Sequence, residues 1–391
     1  MKKSICRILF LIHFSLLTIH YSFAQDSSHL RISLLTCSPG DDLYATFGHS
    51  AYRIVDSSKA YNDSYRDIVY NYGTFNFDDG FWFYIKFARG NLLYYVSVED
   101  FQGFKETYQF TNRGITEQVL NLIPAEKITI QQFLNNNLRE ENKYYKYDFF
   151  FDNCTTRLRD ILKKNHDSAF TTKPVMPAGT TFRQAIYEYL DKNDKQWSKL
   201  GIDLLLGQPC DRVMTAEEMQ FLPDNLMKSL DSADHPLILS HQELYPFNGE
   251  SGKGSVFNPL VIFSVLLIVI ASISLSKNKF AQRFLQGFDG ILFFCTGLLG
   301  IIMVLMWFGT DHSMAKNNFN LLWAWPTNII IAFFVNSNKS WVKRYFALTS
   351  VALVLVLMAW FFLRQHLNVS LIPFVLLLIY RSATKVFFEG N

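Results

Sequence analysis

Two rhythms of apolar and polar positions divide the 391 residues. Between residues 25 and 250, short alternating runs bounded by Gly, Asn and Asp predict strands at 32–35, 50–55, 68–72, 92–98 and 114–122. Interleaved segments repeat apolar residues every three or four positions and predict helices at 79–88, 125–142, 154–164, 182–190 and 216–229. The mixture is α+β. Pro174, Pro177 and Gly179 break the chain after the region of Cys154, separating a domain at 25–175 from a helical appendage at 176–250. A Gly-rich linker at 248–254 ends this part. Beyond it, long apolar runs begin near Val256, Phe288, Leu321, Phe346 and Leu367, predicting an all-α polytopic membrane domain of five spans at 256–391. The third and fifth runs are short against the roughly 20 residues that a hydrocarbon core requires.

The two ends give this membrane part a direction. Lys2, Lys3 and Arg7 precede an apolar stretch to Ile19, and Ser22-Phe23-Ala24 offers a small-x-small cleavage site, so 1–24 is expected to be a secretory signal peptide, with an uncleaved anchor as the alternative. With the first domain exported, Lys277, Lys279, Arg283, Lys339, Lys343, Arg344, Arg381 and Lys385 fall on the cytoplasmic side and only Lys316 and Arg364 outside. That asymmetry follows the positive-inside rule and predicts a multi-pass protein of the bacterial inner membrane with a periplasmic domain and a cytoplasmic carboxyl end. Trp307, Trp323 and Trp325 are then expected at the outer interface.

Composition adds two constraints. Hydrophobic residues make up 49% and aromatics 16% of the chain, which fits partial exposure to lipid, and the net charge of +3 with interspersed acids argues against a nucleic-acid partner. Of five cysteines, Cys6 lies in the signal and Cys295 in a span, leaving Cys37, Cys154 and Cys210 exported. Three is an odd number: a Cys37–Cys210 bridge would leave Cys154 as the free thiol, and full reduction is the alternative.

The chemistry concentrates around that thiol. In YDFFFDNCTTRLRD, residues 147–160, Asp152 and Asn153 are candidate N-caps of a helix that carries Cys154 on its first turn, where the dipole favours a thiolate. A thiol nucleophile also needs a base. His49, after Gly48 at the start of a strand, is the best placed of the exported histidines; His166 would stand about 18 Å away along an unbroken helix, and His29, His235 and His241 sit in polar loop-like contexts. Asn71 offers an amide oxygen to orient the imidazole, or is a turn residue at a strand end. Arg157 is a candidate to support the thiolate or hold an anionic head group, against the plainer reading of a solvated helix face. In GTDHSMAKNNFN, residues 309–320, Asp311, His312, Asn318 and Asn320 are candidates to hold a lipid head group or to dock the exported domain. Neither metal-ligand spacing nor a Gly-rich phosphate loop is present in the sequence, and no cofactor is expected.

Taken in order, Gly48-His49-Ser50, NYGTF at 71–75, TNRG at 111–114 and DNCTTR at 152–157 resemble the exported domain of the Lnb family, the Bacteroides-type lipoprotein N-acyltransferases, and the likeness continues into the membrane part. The resemblance implies a circularly permuted, papain-like thiol fold of the NlpC type. It also implies an acyltransferase that moves an acyl chain from a glycerolipid onto the amino-terminal cysteine amine of diacylglyceryl lipoproteins. Membrane lipids are then the acyl donor and lipoproteins the acceptor, with Cys154 as nucleophile and His49 as base. Two other readings stay open: a peptidoglycan peptidase or amidase of the NlpC type, and a non-catalytic membrane scaffold.

Overall fold

A computed structural model describes residues 28–58, 67–76, 80–166, 173–234, 236–247 and 254–387. The expected signal peptide, Asp79, His235 and most of the 248–254 linker lie outside the described residues.

All five strands expected from alternation form, as β1 (Leu30–Cys37), β2 (His49–Asp56), β3 (Asp67–Thr74), β4 (Leu93–Asp100) and β5 (Ile115–Leu120). Two more join them, β6 (Tyr144–Lys146) and β7 (Ile238–Tyr245), in the order β6-β4-β3-β2-β1-β5-β7 with every pairing antiparallel. The alternation puts Ile32, Leu34, Tyr52, Ile54, Tyr70 and Tyr72 on one face, where they pack against Leu158, Ile161 and Leu162 of a helix. The opposite face carries Leu35, Cys37, Ala51 and Val69 against Phe104 and Tyr108. Burial of both faces draws on the main driving force of folding, about 25 cal/mol per Å² of apolar surface.

The helices of this part are α1 (Phe81–Ala88), α2 (Phe101–Phe110), α3 (Pro124–Asn137), α4 (Cys154–Asn165), α5 (Phe182–Lys192), α6 (Gln196–Leu205) and α7 (Pro223–Asp231). The helix expected at 216–229 is instead a 3-10 turn, Glu218–Phe221, followed by α7. Pro223 is the reason: it has no N–H to continue a helix and sits at the first position of the next one. Residues after 176 do not form a separate helical layer alone, because β7 pairs with β5 at the sheet edge and Leu226 and Leu230 of α7 enter the core.

The five apolar runs of the last third do not all become helices. Lys279–Phe308, Ser340–Ala359 and Val369–Val386 are long and apolar enough to cross a membrane, and a shorter apolar helix, α8 (Pro259–Ser274), precedes them. At 16 residues α8 is about 24 Å long. The third run is broken into Phe319–Leu322, Asn328–Ile331 and Ala332–Phe334, with Pro326 between the first two. This irregular segment lies against the long helix Lys279–Phe308 (α9) at Gly297 and Gly300, where an added Cβ would stand 2.1 Å from Ile329 N and 2.2 Å from Ala324 O. Only glycine permits that approach. Asn328, within this segment, accepts a hydrogen bond from Tyr345 Oη at 2.7 Å.

Two further expectations are revised. Trp323 does not face lipid: it is buried in the core of the membrane part, and its Nε1 donates to Asn320 Oδ1 at 3.0 Å. Arg381 and Lys385, counted above as cytoplasmic cations, are buried on Asp289, with Arg381 Nε and Nη2 at 2.6 and 2.7 Å and Lys385 Nζ at 2.8 Å. Arg381 also donates to Ser274 Oγ, so one ion cluster ties α8, α9 and the last helix together. A charge in an apolar interior persists only when paired in this way.

Candidate active site

Four segments converge on one end of the sheet. Asn153 caps α4, its Oδ1 accepting from Thr156 N at 2.9 Å while Thr156 Oγ1 accepts from Asn153 N at 2.8 Å, which makes Cys154 the first helical residue. Asn153 Nδ2 donates to Phe149 O and Phe221 O, so the cap is itself held. Ser50 Oγ lies 3.1 Å from Thr155 Oγ1 and Tyr52 Oη donates to Leu158 O at 2.8 Å, fixing the helix against β2. Gly48 then turns the chain into that strand at φ +81°, and a Cβ there would meet Cys37 O at 2.6 Å, so no other residue fits before His49.

His49 stands beside the Cys154 thiol, each shifting the ionisation of the other, and its Nε2 lies 3.1 Å from Asn71 Oδ1. Asn71 Nδ2 donates to Glu99 Oε1 at 2.7 Å. Because the amide nitrogen faces Glu99, its oxygen faces the imidazole; a neutral ring then carries its proton on Nε2 and leaves Nδ1 for the thiol proton. Glu99 is the residue that sequence reasoning missed. One carboxylate among the acids at the end of β4 carries no periodic signal, and only the β3–β4 pairing brings it to Asn71.

The electrostatics separate the thiols. Burial pushes Cys154 up, but the charge and hydrogen bond of His49, the Ser50 N–H and the Thr155 hydroxyl outweigh it and bring the thiol down to about 7. Burial pulls His49 down, and the Cys154 thiolate, the hydrogen bond to it and that to Asn71 raise it overall. Burial also raises Glu99. Cys37, opposite His49 in the β1–β2 register, is pushed up to about 12 by burial, and so is Cys210. Neither is bridged, so the Cys37–Cys210 disulfide considered above does not form. Among the described exported thiols, the arrangement favours the thiolate at Cys154.

Alkylation of Cys154 by a small water-soluble reagent is therefore expected to be fast above about pH 7 and lost below it as the thiolate takes a proton. In His49→Ala the midpoint should move up toward the ordinary thiol value of 9.0. A pH–rate series in which His49→Ala leaves the midpoint unchanged would remove His49 as the partner of the thiol.

The remaining candidates lie elsewhere. Asp152 is not a helix cap: it accepts from Arg157 Nη2 at 2.8 Å and bridges to Asp148, leaving Asn153 as the capping residue. Arg157 is engaged by that carboxylate and by the Tyr145 ring, 3.4 Å from its guanidinium carbon. Of the rejected histidines, His166 Nδ1 lies 2.9 Å from Glu126 and His241 Nδ1 3.1 Å from Asp231. The outer-loop residues join the two halves of the molecule. Asp311 accepts from Lys146 Nζ at 2.8 Å and its backbone N–H donates to Arg89 O at 3.1 Å, while His312 Nε2 lies 3.2 Å from Phe87 O. Asn318 and Asn320, each 1% exposed, donate to Leu204 O and Asp203 O, so the docking alternative is the one their contacts realise.

Family comparison meets this geometry at both ends of the chain. A model of the Lnb N-terminal periplasmic domain matches residues 20–188, and a model of the Lnb transmembrane domain matches residues 251–390. The chain belongs to the Lnb family. Membership makes it a membrane protein with a periplasmic region and supports a lipoprotein-processing role for it as an enzyme. In this Lnb protein Cys154, His49 and Asn71 all lie within the match to the periplasmic domain, and the outer loop within the match to the transmembrane domain. No curated protein and no solved structure matches the chain.

Proposed function

We propose that this Lnb protein is a lipoprotein N-acyltransferase working through a Cys154 thioester. The observation that carries the reading is a thiol lowered to about 7 by His49, Ser50 N–H and the Thr155 hydroxyl, with His49 held by Asn71 and Asn71 by Glu99, in a domain docked on a membrane part. The thiolate attacks the ester carbonyl of a glycerolipid. The carbon–oxygen bond to glycerol breaks, the leaving alkoxide takes the proton from His49, and the acyl group remains on sulfur. The free amine of a diacylglyceryl cysteine then attacks the thioester, its proton passes to His49, and the thiolate departs. Asn71 holds the imidazole and Glu99 holds Asn71. The packing of a Cys-bearing helix on an antiparallel sheet that carries the histidine supports a permuted papain-like fold.

Water must be kept from the thioester if transfer is to win over hydrolysis. A run of rings beside the thiol supports this: Tyr147 stacks on Tyr94 at 4.3 Å, and Phe75 lies 5.2 Å from Tyr94. Mass spectrometry of lipoprotein amino-terminal peptides from cells with and without the protein tests the reading. The N-acyl group should be missing without it; identical peptides would overturn the assignment, and cleavage of lipid-free muropeptides by the full-length protein would favour the peptidase.

We also propose the inner membrane as its site, with a signal at 1–24, five membrane passages and a cytoplasmic carboxyl end, the irregular third run completing the set between α9 and Ser340–Ala359. A reporter fused after Asn391 should be cytoplasmic, and one placed in 311–320 exported. Either reporter on the opposite side would break this arrangement.

A further inference from the structure

We propose that α1, Phe81–Ala88, is an interfacial helix lying in the outer surface of the bilayer, where it forms the lip over which lipid reaches Cys154. Its height is set by the membrane domain. The helix α9 ends at Phe308, with Trp307 and Phe308 stacked 5.0 Å apart, and the residues that follow at once hold the end of α1. Asp311 N–H donates to Arg89 O, and His312 Nε2 lies 3.2 Å from Phe87 O. A helix tied three and four residues beyond the end of a membrane-crossing helix stands at the depth of the head groups.

At that depth its side chains suit the environment. Trp82 is 65% exposed and Phe87 53% exposed, a large aromatic surface on a helix of 8 residues. Exposed Lys86 and Arg89 stand at the carboxyl end of the same helix. Aromatic rings with neighbouring cations are the side chains that a zwitterionic or anionic phospholipid interface accepts, and in water the rings would carry an unfavourable hydration cost. The end of the helix touches the membrane domain at Asp311 and His312, which argues for lipid as the occupant over a second protein.

The position in the fold links this lip to the thiol. α1 lies between the end of β3 and the start of β4. At that end of β3, the Cβ position of Gly73 is 3.8 Å from both Cys154 Cβ and a Tyr147 ring carbon. Tyr147, Tyr94 and Phe75 continue as a chain of ring contacts to Tyr44, whose ring is 6.4 Å from Phe75. An acyl chain rising beside α1 would meet apolar rings on its way to the sulfur. The delivery role rests on the acyl-transfer reading, whereas the depth of the helix does not.

The test uses the full-length protein reconstituted in phosphatidylcholine vesicles whose acyl chains are brominated. The emission lost between the natural protein and Trp82→Phe reports Trp82. It should be blue-shifted, quenched by the brominated lipid and shielded from aqueous iodide. Emission that is red-shifted and iodide-quenched would place α1 in water, and emission insensitive to both quenchers would place it against protein; either overturns the proposal. Should the difference be too small to read, Phe87→Trp in the Trp82→Phe background supplies a second reporter on the same helix with the same expected pattern. Because no acyl transfer is needed for quenching, failure of the lip and failure of the enzymatic reading give separate results.

Discussion

Replacing Cys154 by alanine is expected to abolish N-acylation of lipoproteins, and His49→Ala to reduce it by at least about a thousandfold, because members of one nucleophilic unit each cost most of the rate when removed. His49 is the imidazole whose charge lowers the Cys154 thiol, and the other lowering contacts, Ser50 N–H and the Thr155 hydroxyl, cannot accept its proton as an imidazole does. The folded state should survive both changes. Cys154 is only half-buried, and the α4 cap is made by Asn153 and Thr156, which neither substitution touches. Cells depleted of the natural protein and supplied with either variant should therefore contain the inserted protein and lipoproteins lacking the N-acyl group. Near-normal N-acylation by either variant would remove the dyad.

Asp203→Ala is expected to be the most damaging single change away from the thiol. Asp203 is buried and accepts from Arg183 Nη1 at 2.7 Å, Tyr187 Oη at 2.6 Å and Asn368 Nδ2 at 2.8 Å, while its backbone oxygen accepts from Asn320. It thus joins α5 and α6 of the exported part to the membrane part. Arg183 is equally buried, and although Asp211 remains at 2.9 Å, loss of Asp203 removes one of its two carboxylates. Breaking such a pair from one side costs about 3–5 kcal/mol, because the remaining charge stays desolvated. Thermal unfolding in detergent should show a midpoint many degrees lower, with protease cleavage appearing in the exported domain. An unfolding midpoint within a degree of the natural protein would mean that the cluster does not hold the two parts together.

The elements themselves were legible wherever local pattern and tertiary environment agree. Alternation located β1 to β5 because every second residue, such as Ile32, Leu34, Tyr52, Ile54, Tyr70 and Tyr72, enters one core, and the 3.6-residue rhythm with an Asn before Cys-Thr-Thr placed the start of α4 at the observed residue. β6 is only three residues, and β7 is an edge strand with most of its side chains in solvent, so neither leaves an apolar rhythm to read. α2 leaves no clear rhythm for a related reason: Phe104 and Tyr108 are its buried residues, while Phe110 points into solvent among polar neighbours. In the membrane part, hydropathy alone reports that a run prefers lipid or a core; it does not report that the third run is folded back into short turns against Gly297 and Gly300.

The site divides along the same line. Sequence by itself determined the helix start and singled out its thiol, His49 and Asn71 as candidates, since each is a residue type in a local context compatible with thiol chemistry. Only the tertiary structure decided that Asn153 caps the helix while Asp152 pairs with Arg157, that Asn71 turns its oxygen to His49 because Glu99 takes its nitrogen, and that Cys37 and Cys210 stay free and protonated. Those outcomes depend on strand register and burial. Hydrogen-bond direction and desolvation are set by neighbours distant in sequence, and these contacts exist only once the sheet has formed.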